Sequence, residues 1–169
     1  MSKLNSLMAC LASRNPPSFE LTVERMTQTV YLVDWKSALE FGEQVTSITW
    51  FYGPAGPMSQ EILRIAGMAN SPLIVRTPLN SPGRSRASIA LRDRSFVPKL
   101  PDRDLDVVGF VLNTVLSYDR HAIAKLVLST FPFVSNSRYT KLDLVKSAKE
   151  YKRLLNAMNV KRDSMTTAS

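Results

Sequence analysis

Cysteine, histidine and glycine are all scarce in this chain of 169 residues, with one Cys, one His and six Gly. The lone Cys10 can form no intramolecular disulfide and fits a reducing, cytoplasmic compartment. In the apolar stretch around it, with no basic neighbour closer than Arg14, it reads as an inert core thiol. The lone His121 removes any two-histidine metal site and leaves one imidazole base at most. It lies two residues after Asp119, and positions i and i+2 of a helix do not face each other. Gly-x-Ser-x-Gly, Gly-x-x-x-x-Gly-Lys-Ser/Thr and Cys-x-x-Cys are absent. Gly53-Pro54-Ala55-Gly56 cannot cradle a phosphate, because Pro54 has no N–H to donate and no lysine follows. Asp102, Asp104 and Asp106 lack the Gly and Glu of a calcium loop, so helix capping and dipole compensation account for them. The residues predict no catalysis, no metal and no cofactor.

Long apolar runs are missing too. The most apolar stretch, residues 107–116, is broken by Gly109, Asn113 and Thr114, and a membrane span needs about 20 apolar residues in a row. Near the start, Lys3 and residues 7–12 imitate a weak signal peptide, but the apolar part is short and Arg14 follows directly. That stretch reads as a helix. Negative charge is the last deficit. Fourteen Asp and Glu face 22 Lys and Arg, a net charge of +8. Such a field draws polyanions: nucleic acid, an acidic protein or an anionic surface.

What is present is an ordinary globular composition, 44% hydrophobic and 21% charged, with room for one core. The pattern predicts a mainly helical α+β domain, a helical core with one small β-hairpin, over residues 1–169. An N-terminal helix covers 1–14 and stops at Asn15-Pro16-Pro17. The core covers 20–158, and residues 160–169 form a frayed tail. Thr22 caps the firmest helix, whose stripe of Val23, Met26, Val30, Val33 and Trp35 runs to Phe41 before Gly42 stops it. Residues 45–52 read as a short strand or an extended loop ended by a rigid turn at 53–57. Ser59 caps a short helix carrying Ile62, Leu63 and Ile65. Residues 73–76 and 87–92 read as the strands of a hairpin near 72–92, with a turn-rich tip between them. The last third carries three helices, opened by Asp102 or Asp104, by Ser117 or Asp119, and by Asp143.

Two features point to a partner. Between Arg76 and Arg103 there are seven basic residues and two acids, a local +5. Arginine dominates, and its planar fork suits carboxylate or phosphate. Arg76, Arg84, Arg86 and Arg92 are the candidate contact residues of this arm; a merely solvated hairpin edge is the bland alternative. Trp50, Phe51 and Tyr52 are consecutive, so in an extended chain Phe51 points away from its neighbours and one side is free to meet a partner.

Residues 25–35, Arg-Met-Thr-Gln-Thr-Val-Tyr-Leu-Val-Asp-Trp, resemble the first signature of the Panacea domain. Gly42 and then Thr49-Trp50-Phe51-Tyr52-Gly53-Pro54 follow at the fitting distance. The resemblance extends over roughly residues 20–155 in the order of elements. Gln28 and Thr29 depart from the usual Lys and apolar residue, as does Ala55-Gly56-Pro57 after Tyr-Gly-Pro. The resemblance implies a cytosolic bacterial or phage antitoxin-like module that neutralises a toxin or other effector by direct protein contact, without catalysis. The alternative reading is a winged-helix-like nucleic-acid binder that uses the basic hairpin.

Overall fold

Ser2 accepts the N–H of Asn5 at 3.2 Å, and Leu4, Leu7, Met8 and Leu11 share one buried face. Residues Lys3–Arg14 therefore form the first helix, α1. The structure, a computed structural model, describes residues 1–79 and 87–168. It is α+β and 55% helical.

Thr22 accepts the N–H of Arg25 at 3.1 Å and opens α2, Val23–Phe41. Gly42 ends it with φ 74, a left-handed conformation that glycine adopts without steric cost. Met26, Val30, Tyr31 and Val33 are fully buried.

The chain then forms β1, Trp50–Gly53, and β2, Gly56–Met58. The expected five-residue turn is thus tighter, because Gly56 and Pro57 already belong to β2, paired with Gly53 and Tyr52. Gly53 has to lack a side chain: a Cβ there would lie 3.0 Å from both Gly56 O and Met58 Cβ. Ser59 caps α3, Gln60–Ala66, as expected, but Leu63 is 51% exposed and not inward. The predicted hairpin is present as β3, Leu73–Arg76, antiparallel to β4, Ser88–Leu91.

Helix α4, Asp102–Val115, starts at Pro101 without a side-chain cap, so neither Asp102 nor Asp104 caps it. Asp104 is instead completely buried, with Lys3 Nζ at 3.0 Å and Arg103 Nε at 3.6 Å. Asp119 caps α5, Arg120–Leu128, through the N–H of Ala122 at 2.7 Å. A short α6, Phe131–Val134, follows. Residues Lys141–Leu142 form β5, which pairs with β1 on the side away from β2. Asp143 caps α7, Leu144–Thr166. The tail expected to fray from residue 160 is helical as far as Thr166, since the last turns of α7 keep their backbone bonds without tertiary support.

Around α2 pack α1, α4, α5 and α7, with α6 against α7 and the β3–β4 hairpin against α1. Among the described residues, no helix is long and apolar enough to cross a membrane.

Candidate functional site

Residues of α2 and β1 meet in the interior. Asp34 Oδ1 accepts the N–H of Thr46 at 2.9 Å. Its Oδ2 accepts the Thr46 hydroxyl at 2.5 Å, the indole N–H of Trp50 at 2.9 Å and the Gln44 amide at 3.3 Å. Burial of this carboxylate outweighs those bonds and pushes its pKa up to about 6. Tyr31 stacks edge-on against Trp50 at 5.5 Å and Phe133 at 5.3 Å, and its hydroxyl meets Thr130 Oγ1 at 2.7 Å. Arg25 reaches across to donate to Tyr118 O at 2.9 Å and Val115 O at 2.7 Å, which ties α2 to the end of α4. The conspicuous motif is a scaffold that fixes strand β1 to helix α2.

Three of the candidate contact residues, Trp50, Tyr52 and Arg92, make contacts within the chain. Trp50 is fully buried, because its indole N–H is the donor that Asp34 requires, so it offers nothing to a partner. Tyr52 is half-buried and packs edge-on against Phe133 at 4.6 Å. Phe51 alone of the three faces outward, 38% exposed, as strand alternation demands. In the hairpin, Arg92 donates Nε–H to Ser71 O and Nη2–H to Leu73 O, both at 3.3 Å, and so clasps the strand beside it. Arg76 is exposed and free to reach outward. Arg84 and Arg86 lie outside the described residues.

The hairpin forms one wall of a groove of about 830 Å³, and the loop over residues 15–21 forms the other. Asn15 braces that loop by donating its amide to Phe19 O at 2.6 Å. Arg76 and Arg94 line the β side, with Glu20 on the loop. The groove also runs along a backbone edge. Ile89 N donates to Leu21 O at 2.8 Å, and Val23 N donates to Ala87 O at 2.9 Å. Thr22 and Ser88 are therefore an isolated antiparallel bridge. Backbone groups alternate sides along a strand, so Leu91 presents its N–H and C=O on the edge where Ile89 meets Leu21. No residue of the 15–20 loop continues this pairing, because the chain turns back with Phe19 N donating to Pro16 O at 3.0 Å. Beyond the bridge to Thr22, the edge left to β4 is that of Leu91, and with Arg76 and Arg94 lining the same groove another chain can add there. Arg94, whose charge contributes to the local excess, was not singled out in the sequence. Its place on the groove depends on residues 15–21 folding over from a distant part of the chain.

The sparse catalytic candidates sit apart from this groove. Cys10 is buried and burial pushes its thiol pKa up, away from nucleophilic reactivity. His121 is exposed at the start of α5. Among the described residues, no group of three or more His, Cys, Asp or Glu converges to hold a metal. No protein family, curated protein or solved structure matches the chain.

Proposed function

We propose that this protein is a non-catalytic binding module that captures an acidic, extended segment of a partner protein. The observation that carries the reading is the open outer edge of β4, beside Leu91, in a groove lined by Arg76 and Arg94. Backbone pairing supplies affinity independent of side chains, and the two guanidinium groups select carboxylates. The resemblance of α2 and β1 to the Panacea signature supports the same class: an antitoxin-like protein that neutralises a toxin or effector by direct contact. In this reading the buried Asp34–Trp50 bond serves the scaffold and not the contact itself.

The nucleic-acid alternative draws on the +8 charge. Against it, the helix before the hairpin, α3, spans seven residues and sets Glu61 beside its one cation, Arg64, which gives little grip on phosphate.

The test is fluorescence anisotropy with short synthetic peptides of alternating Val-Glu and Val-Lys sequence. The acidic peptide should bind roughly tenfold or more tightly than the basic one. N-methylation of the alternate backbone amides that face β4 should abolish binding, as should Arg76→Glu with Arg94→Glu, whereas methylation of the other register should be tolerated. Equal binding of both peptides, or tolerance of N-methylation on both registers, overturns the reading. Tighter binding to a DNA duplex, with a steep salt slope, makes the alternative the correct one.

A further inference from the structure

The first two turns of α7 are anchored: Leu144, Ser147 and Ala148 are buried, and Tyr151 packs against Trp35 at 6.2 Å and Phe131 at 5.4 Å. From Lys152 onward every described residue of the helix is exposed. Its apolar stripe nevertheless does not stop where the support stops. Leu144, Tyr151, Met158 and Met165 recur every seven residues, with Leu154 and Leu155 between them, which is the spacing of a seam between two helices. Leu154 is 37% exposed, Leu155 40%, Met158 67% and Met165 71%. Side chains that pack against α2 and α6 at the base thus continue as an uncovered ridge in solvent.

The charge on this helix is equally one-sided. Six cations (Lys146, Lys149, Lys152, Arg153, Lys161 and Arg162) face two acids, Glu150 and Asp163. Lys161 and Arg162 fall within the stripe itself, one turn beyond Met158. Two copies of this helix packed side by side would bring their excess positive charge together, which disfavours self-pairing. The ridge is narrow and holds no aromatic residue beyond Tyr151 at its base, which suits a helix seam better than burial in a lipid interface.

We infer that the free half of α7 is a second docking surface, and that its occupant is an amphipathic helix of a partner protein, apolar on one face and acidic along its flanks. Leu154, Leu155 and Met158 insert into that face, and Lys161 and Arg162 pair with its carboxylates. This surface stands independently of the β4 groove: the groove takes an extended strand, and α7 takes a helix.

The probe is a three-heptad synthetic peptide with leucine at the seam positions and glutamate on the flanks, titrated into the full chain and followed by anisotropy. A peptide of the same composition with the leucines scattered serves as the control. The striped peptide should bind at least roughly tenfold more tightly than the scattered one. Leu155→Ser with Met158→Ser should remove that advantage while leaving the melting temperature and helix content in place, because both side chains are exposed. Lys161→Glu with Arg162→Glu should weaken binding, and high salt should diminish the difference. Equal affinity for the two peptides, or an unaffected serine variant, overturns the inference. So does a dimer in sedimentation that the serine variant dissociates, or binding to phosphatidylserine vesicles or duplex DNA that depends on Leu155 and Met158. Arg76→Glu with Arg94→Glu should leave this binding intact. If it is lost in that variant, the peptide sits in the groove and the assignment to α7 falls while the groove reading stands.

Discussion

The Asp34 network and the outer half of α7 are opposite solutions to the same problem of placing polar and apolar groups. Around Asp34 a carboxylate with negligible exposure is surrounded by donors from Thr46, Trp50 and Gln44. On α7 leucine and methionine stand in water beside an excess of cations. The first arrangement is costly to disturb, since a buried donor left without an acceptor loses its solvation with no return. The second contributes little to folding, because exposed side chains gain nothing from the core. The contrast separates the residues that hold this domain together from those that the fold leaves exposed. The conspicuous motif belongs to the first group.

That separation can be broken by mutation, and the interior should give the largest response. Val30→Asp places an unpaired carboxylate at a fully buried site of α2, with an expected cost of about 4 kcal/mol or more. A melting temperature within a degree or two of the parent would place α2 outside the core.

Next in size is the pH dependence carried by Asp34. Its folded pKa of about 6 lies above the ordinary 3.8, so the folded state holds the proton more tightly than the unfolded state. The contribution is therefore most favourable below the ordinary value and is lost as pH rises through about 6. A shift of this size corresponds to about 3 kcal/mol. Urea unfolding at a series of pH values, with Asp34→Asn as reference, should show the parent gaining stability relative to the variant as the pH falls from 7 toward 4. Parallel curves for the two proteins would mean that the hydrogen bonds fully offset the burial.

Arg25→Ala removes two donors from the end of α4 and should cost about 2 kcal/mol in chemical denaturation. Because Arg25 belongs to the scaffold, affinity for the acidic Val-Glu peptide should be unchanged at temperatures where the variant is folded. At the exposed end of the scale, Arg76→Glu with Arg94→Glu should alter stability by less than about 0.5 kcal/mol while reducing peptide affinity. His121→Asn should change neither property. A loss of function in that variant with unaltered melting would point to chemistry at the start of α5.

Much of the helical framework is legible along the chain, because local chemistry decides it. Thr22, Ser59, Asp119 and Asp143 accept N–H groups of their own first turns, and Gly42 supplies the left-handed stop. The pairing of β3 with β4 is likewise visible from two short apolar runs around a turn-rich stretch. The three-stranded sheet is less accessible. Strand β5 has two residues, too few for a periodic signal, and exists because Leu142 and Lys141 pair with Trp50 and Phe51 from far along the chain.

The candidate site divides the same way. The excess of arginine near the hairpin and the outward turn of Phe51 could be read directly from composition and alternation. That Arg92 also donates to Ser71 O and Leu73 O could not, nor that Trp50 is held inside by Asp34. Both facts depend on which acceptors the folded chain brings within about 3 Å of a donor, and no sequence spacing encodes that distance. By itself, the sequence determined most of the helices, the caps at Thr22, Ser59, Asp119 and Asp143, and the basic surplus, since each follows from residues that are neighbours or from composition. Only the tertiary structure decided which charges are free, which strand edge is open and where the stripe of α7 loses its support, because these depend on contacts between segments remote in the chain.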